Sequence, residues 1–235
     1  MKKTRKNRKG FTLVEMLLSL AIITLIGGVI GGVCFSISHS FVTTYNIDDS
    51  ADYAMLYARG FENSFLAITQ GNGTAGQTWT WRIENPKGNG SAPTLKVRDS
   101  KGGDEDVFTP KFIGNSSTPS KWAVIMFYKV EETTNGTNTS TLVNYRLYIR
   151  DNYARTDYIY RYDGSFWVPR FQERAKSSGA TGRKIMVDTS SLPMSESTMK
   201  NFCTDPSGNY SQKAYNSIKD GLDPTYYSSI VYKWG

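Results

Sequence analysis

Glu15 requires a chemical explanation, because it is an acid near the start of a long apolar segment. The segment opens at Phe11, directly after Gly10 and a basic leader containing Lys2, Lys3, Arg5, Lys6, Arg8 and Lys9. A carboxylate at the centre of a bilayer costs on the order of 3 kcal/mol and usually has a partner. If the chain is cut after Gly10, the new α-amine of Phe11 can neutralise Glu15 of a neighbouring chain. Glu15 would then set the register between assembled subunits.

The residues around Glu15 indicate a membrane segment. No residue from 16 to 47 carries a formal charge, and a spanning helix needs only about 20 predominantly apolar residues. The basic cluster holds the N-terminus on the cytoplasmic side. We therefore expect a single-pass cell-membrane protein with a leader (1–10), a transmembrane and assembly helix (11–35), a head-packing continuation of that helix (36–68) and an exported β-rich head (69–235).

The N-terminal residues resemble the type IV pilin superfamily. Its precursors have a short basic leader, a Gly before the cut, and then Phe-Thr-Leu-hydrophobic-Glu, which this chain reproduces at Gly10, Phe11 and Glu15. The resemblance implies cleavage between Gly10 and Phe11 by a membrane prepilin peptidase, with N-methylation of Phe11 by the same enzyme. It covers the first fifth of the chain and leaves the remainder to be interpreted from its residues.

A secretory signal, a lipoprotein signal and a plain anchor all fit the N-terminal residues less well. In an ordinary secretory signal, Glu15 would be out of place, and the uncharged run exceeds the usual ~7 to 15 residue apolar region. A lipoprotein attached through Cys34 is disfavoured because Gly31-Gly32-Val33 is a poor match to the residues expected before such a cysteine. Plain single-pass anchoring is the remaining alternative.

Charge and cysteine content restrict the functional classes. The chain has 28 basic and 21 acidic residues, and loss of the six leader charges reduces the net charge from +7 to +1. Global charge therefore gives no reason to expect nucleic-acid binding. Cys34 and Cys203 lie far apart in sequence, so we expect no disulfide between them and a head stabilised by its core.

Beyond the membrane segment, apolar residues recur at helical spacing. The stripe comprises Ile47, Ala51, Ala54, Ala58, Phe61 and Phe65, and its spacing of three and four predicts one face of a helix that packs on the head. The helix should run from Phe11 to about Ile68. Gly27, Gly28, Gly31 and Gly32 either permit close helix packing or allow the helix to melt during assembly.

The rest of the chain predicts antiparallel strands and hence an α+β fold. Aromatic and β-branched residues mark strands at 78–83, 95–98, 123–130, 142–150 and 159–167. Asn135-Gly136 and Asp163-Gly164 are turn signals, the first in a hairpin with a loop longer than two residues. In the fourth strand, Val143, Tyr145, Leu147 and Ile149 should face the core, and the alternate residues should face solvent. A short helix at 197–202 and a last strand at 226–234 complete the prediction.

The sequence gives little sign of catalysis, and we expect no enzyme and no cofactor. The sole histidine, His39, has no nucleophile or metal ligand near it in sequence. Asp99, Asp104, Glu105 and Asp106 do not match a calcium loop and should form a solvated turn. The Asn-x-(Ser/Thr) triplets are interpreted as loop composition.

One region is both basic and aromatic. Between Arg146 and Lys184 there are nine Lys or Arg residues and four acids. Such a mixture suits single-stranded nucleic acid, with Arg170, Arg174, Lys176, Arg183 and Lys184 as the candidate contacts. It equally suits a sheet with aromatic core positions and solvated arginines on its other face, which is the interpretation we favour.

These observations predict a structural, minor subunit of a type IV pilus or pseudopilus, located at the cell surface after assembly. Its large, aromatic-rich head favours a minor role by analogy with the family. The expected partners are the prepilin peptidase, other pilin subunits, the assembly platform and the membrane. The alternatives are a DNA-binding pilin of a competence system and a type II secretion pseudopilin.

Overall fold

The computed structural model describes residues 13–71, 74–84, 93–109, 122–135, 138–152, 159–168, 184–188 and 195–234. It divides after Tyr45 into two units, and the second, which begins at Asn46, contains all the described strands. The predicted α+β arrangement of a long N-terminal helix and antiparallel sheets is confirmed.

Helix α1 runs over Leu13–Gln70. Its predicted stripe is confirmed in the second unit, where Ala54, Phe61 and Phe65 are fully buried and Ala58 nearly so. Tyr57 is also fully buried and donates a 2.6 Å hydrogen bond to the carbonyl of Pro93. The helix ends where Gly71 N–H donates to the carbonyls of Ala67 and Ile68, close to the predicted end. Its predicted start at Phe11 lies outside the described residues.

The strands form two antiparallel sheets. Strands β1 (Thr78–Glu84), β2 (Thr94–Asp99), β3 (Gly103–Phe108), β7 (Lys184–Val187) and β8 (Ile230–Lys233) form a five-stranded sheet in the order β3-β2-β1-β8-β7. Strands β4 (Trp122–Asn135), β5 (Asn138–Asp151) and β6 (Tyr160–Val168) form a three-stranded sheet in sequence order. All six predicted strands are present, the last of them as β8, whereas β3 and β7 were not predicted.

The main core brings α1 and both sheets together around aromatic rings. The ring of Phe61 lies 5.0 Å from that of Tyr128, 5.5 Å from that of Tyr145 and 5.7 Å from that of Phe166. Val143, Tyr145, Leu147 and Ile149 are all buried, so the predicted inward face of β5 is confirmed. Truncating Phe61 to Ala would cost about 3–5 kcal/mol by the usual large-to-small rule.

The opposite face of β5 differs from the prediction. Tyr148 and Arg150 are buried there because helices α2 (Glu196–Phe202) and α3 (Gln212–Gly221) form a second layer. Each helix has a serine N-cap whose side chain accepts a backbone N–H, from Thr198 to Ser195 and from Ala214 to Ser211. Helix α2 was predicted to within a residue, and α3 was not predicted.

Four local predictions were wrong. Asp163-Gly164 is not a turn but lies within β6, opposite Tyr145 and Arg146. The β4–β5 ladder reaches Asn135 and Asn138, so only two residues connect these strands. The last strand begins at Ile230 rather than at residue 226. The acids after Gly103 are exposed, as predicted, but they lie in the edge strand β3 rather than in a turn, and Asp104 and Asp106 pair with basic residues of β1 and β2.

Candidate functional site

The N-terminal unit presents an apolar helix that the described residues leave uncovered. Within residues 13–38 an 18-residue window reaches a mean hydropathy of 2.4, and every residue of this segment is exposed. At 1.5 Å per residue the 26 residues span roughly 39 Å, which exceeds the ~30 Å hydrocarbon thickness of a bilayer. By length and composition, this helix can cross a membrane.

Glu15 lies in the first described turn of this helix. An acid is favoured at a helix N-terminus because backbone N–H groups there carry partial positive charge. A Cβ placed on Gly27, Gly28, Gly31 or Gly32 would meet nothing within 4 Å, so this face has room for a neighbouring helix. Gly10 and Phe11, the predicted cleavage residues, lie outside the described residues, as does the leader.

The basic and aromatic region is a second candidate site, and its described arginines have internal roles. On the outer face of the three-stranded sheet, Arg146 Nε and Arg161 Nη2 lie 2.5 Å and 2.6 Å from opposite oxygens of Asp163. Arg146 also donates to the carbonyl of Gly221 and lies 4.9 Å over the ring of Tyr226. These contacts attach the chain after α3 to the sheet.

The Asp163 carboxyl is held in its charged form. Partial burial raises the pKa of Asp163, but hydrogen bonds from Arg161 and Arg146 outweigh it and the pKa lies below the ordinary value. The side chain of Arg146 is only 14% exposed. The expectation of solvated arginines on this face is therefore wrong for Arg146, since the second layer was not foreseen.

Arg150 is buried more completely than the other described arginines of this region. It is 4% exposed, donates from Nη2 to Asn152 at 2.6 Å and lies 5.7 Å over the ring of Phe202. Its Nε and Nη1 have no hydrogen-bond partner within the described part of the chain. Desolvation lowers the pKa of this guanidinium, and it is inaccessible to a polymeric ligand.

The aromatic residues of β6 divide between its two faces. Tyr160, Tyr162 and Phe166 pack against the main core, as the aromatic-core interpretation predicted. Trp167 points to the other face and is 59% exposed. Of the predicted nucleic-acid contacts, Lys184 opens β7 and is exposed, whereas Arg170, Arg174, Lys176 and Arg183 lie outside the described residues.

The acidic residues near Gly103 form ion pairs across the five-stranded sheet. Asp104 lies 2.7 Å from Arg82 and 3.2 Å from Arg98, and Asp106 lies 3.6 Å from Lys96. Among the described residues no group of three His, Cys, Asp or Glu side chains could hold a metal ion. Both cysteines are free, and burial raises the pKa of the Cys203 thiol to about 11.

Sequence reasoning missed the contacts made by Arg146 and the exposure of Trp167. Both depend on the β5–β6 register, which places Arg146 opposite Asp163 and Leu142 opposite Trp167. The alternation within β6 was a usable signal for Trp167, since Phe166 and Trp167 must point to opposite faces.

The described part of the chain combines an exposed apolar helix, with an acid in its first described turn, and an α+β unit. This combination fits a membrane-anchored protein. Residues 5–31 match the family model of the prokaryotic N-terminal methylation motif, so the chain carries the type IV prepilin signature. That family is structural, and its motif implies processing by a peptidase and assembly with other pilins. No curated protein and no solved structure matches the chain.

Proposed function

We propose that the protein is a minor structural subunit of a type IV pilus or related pseudopilus. It is made as a membrane prepilin, cleaved between Gly10 and Phe11, N-methylated on Phe11 and assembled through its N-terminal helix. The observation that carries this proposal is the methylation motif at residues 5–31, together with a helix over 13–38 that is exposed along its whole length among the described residues.

The proposed assembly step pairs two opposite charges within an apolar bundle. Hydrolysis of the Gly10–Phe11 peptide bond leaves the Gly10 carboxylate on the leader and an amine on Phe11. The amine is protonated at neutral pH, and a single N-methyl group leaves it able to carry that charge. Contact between this ammonium and Glu15 of a neighbour relieves the cost of both buried charges, so only one axial offset between helices is favoured.

The second unit would then be the exported head. Its described residues form a main core and a second layer. The minor role rests on analogy with the family. The prepilin peptidase, other pilins and the assembly platform are the corresponding partners.

The first experiment is to measure the intact mass and N-terminal residue of the protein extracted from its native membrane. A chain that starts at Phe11 with one additional methyl group is expected. A chain that starts at Met1 or near Ser40 would instead mean an ordinary anchor or a secreted protein. Expression beside a Gly10→Val control, in which cleavage should fail, links the observed start to this site.

The DNA-uptake alternative now depends on Arg170, Arg174, Lys176, Arg183 and Lys184, because Arg146, Arg150 and Arg161 already have structural roles. Unchanged DNA affinity after neutralisation of these five residues would exclude them as the contact.

Export assays in a deletion strain address the secretion alternative, since loss of a pseudopilin should block release of folded proteins, whereas loss of a pilus subunit should affect filaments.

A further inference from the structure

The outer face of the three-stranded sheet is only partly covered. Helices α2 and α3 pack over the part that contains Ile125, Phe127 and Tyr148. Further along the strands, the register places two cross-strand rows next to each other. Read from β4 to β6, the first row is Glu131, Leu142 and Trp167, and the second row is Lys129, Asn144 and Ser165. We call these six residues the Trp167 platform.

Trp167 is an exposed aromatic residue that takes no part in either core cluster. Its neighbours Phe166 and Val168 point to the opposite face, where Val168 is buried and Phe166 packs on the main core. Trp167 itself exposes 59% of its surface. An indole ring left in water is a large apolar surface with a partially negative π face, and it lies beside the polar side chains of Asn144 and Ser165.

The dimensions of the platform favour a small, flat ligand. Strands about 4.8 Å apart and same-face residues about 6.8 Å apart give a grid of roughly 10 Å by 7 Å. A stable protein interface needs roughly 800 Å² from each partner and an apolar centre. The only large apolar side chains among the six platform residues are Trp167 and the half-buried Leu142, so the area suits one or two sugar rings better than a protein.

The charges of the platform disfavour a polyanion. Lys129 lies 2.8 Å from Glu131 and 3.9 Å from Asp223. In the adjacent row, Arg146 is paired with Asp163. A nucleic acid would have to break these pairs, whereas a neutral ligand with hydroxyl groups can hydrogen-bond to the same side chains without displacing them.

We propose that the Trp167 platform binds a neutral polysaccharide. One pyranose ring stacks its C–H face on the indole of Trp167. Its hydroxyl groups donate hydrogen bonds to the Glu131 carboxylate, and they donate to or accept from the Asn144 amide. The aromatic plane supplies the apolar contact, and the neighbouring amide and carboxylate fix the orientation of the sugar ring. The inference adds a ligand to the head, and its test requires neither cleavage nor a filament, so its failure would leave the proposed pilin function unaffected.

The test uses the full chain in lipid nanodiscs, because detergents with maltose head groups would compete for the platform. Binding is measured by calorimetry with neutral hexasaccharides of β-1,4-glucose, β-1,4-N-acetylglucosamine, α-1,4-glucose and β-1,4-mannose. We expect binding to at least one of them. Trp167→Ala should weaken it at least about tenfold, since most of the apolar contact lies on one ring.

Two further variants separate stacking from loss of structure. Trp167→Tyr retains an aromatic plane and should lose no more than about threefold in affinity, since stacking is largely preserved. Tyr210→Ala removes an exposed aromatic residue of the α2–α3 connection, 39% exposed, and should bind normally. Circular dichroism confirms that each variant is folded.

Several results would overturn the proposal. These are absence of binding to all four sugars, equal binding by the wild type and Trp167→Ala, or Trp167-dependent binding of single-stranded DNA instead of sugar. Self-association that is lost in Trp167→Ala, without any sugar binding, would assign the platform to a protein contact.

Discussion

Replacing Gly164 with Ala should destabilise the head, because the Tyr145 side chain occupies the space that a Cβ would need. Gly164 lies opposite Tyr145 in the β5–β6 ladder. A Cβ at this position would overlap Cζ, Cε2 and the hydroxyl of Tyr145, at separations that real Cβ atoms do not show. The Tyr145 ring cannot move freely, since it is 1% exposed and packs 5.5 Å from Phe61.

The cost has two components. Overpacking a well-packed core typically costs about 1–3 kcal/mol. Displacing the ring also stretches the 2.6 Å hydrogen bond from the Tyr145 hydroxyl to Glu62 of α1, a type of contact worth about 1.5–3 kcal/mol when the acceptor is charged. Water can replace part of that bond. We therefore expect the free energy of unfolding to fall by roughly 3 kcal/mol and Tm to fall by roughly 6–12 °C for a unit of this size.

Thermal unfolding of the full chain in nanodiscs, followed by near-ultraviolet circular dichroism, measures the effect. Ser165→Ala is the matched control, because Ser165 is the exposed neighbour in the same strand. On a Tyr145→Ala background the clash is absent, so Gly164→Ala should cost less than about 1 kcal/mol there. A Tm within about 2 °C of wild type, or an equal loss on both backgrounds, would refute the reasoning.

Three other changes have defined outcomes. Glu15→Ala should leave membrane insertion intact, because it removes an acid from lipid. It should impair incorporation into filaments, which an immunoblot of sheared filaments measures. Normal incorporation would contradict the role of Glu15 in setting the register. Arg150→Met should leave the free energy of unfolding, measured with urea, unchanged or raise it by about 1–3 kcal/mol, since it removes a buried charge with unpaired donors. A marked loss of stability would mean that the charge is needed. The depressed pKa of Asp163 means that its stabilising effect is complete above its unfolded pKa of about 4 and is lost as the pH falls through the folded pKa. Asp163→Asn should therefore flatten the acid limb of the stability profile, and an unchanged limb would exclude this contribution.

The parts of the fold that were predicted correctly are those decided by local periodicity. The stripe from Ile47 to Phe65 repeats at helical spacing, and the alternation from Val143 to Ile149 has a period of two. Each pattern specifies its own buried face without information from distant residues. The short helix before Cys203 is also a local structure, because the Ser195 side chain caps its N-terminus.

The wrong predictions have a common physical origin in contacts between distant segments. Asp163-Gly164 has the composition of a turn, yet the glycine is needed inside β6 so that Tyr145 can lie across it. Arg146 and Arg150 alternate with core residues and should face water in a two-layer head. They do not, because α2 and α3 cover that side of the sheet from more than 40 residues further along the chain. No period within β5 contains that information.

The same distinction separates the two candidate sites. The assembly segment acts through residues that are contiguous in sequence, so its chemistry can be inferred from the leader, Phe11 and Glu15 alone. The Trp167 platform combines β4, β5 and β6, and its polar groups become neighbours only when the register is fixed. A chain can therefore carry a recognisable signature for its assembly while the ligand of its head is determined by strand pairing. Heads with the same N-terminal motif but a different register can present different surfaces, which is why the motif specifies how a subunit is built into a filament but not what that subunit contacts.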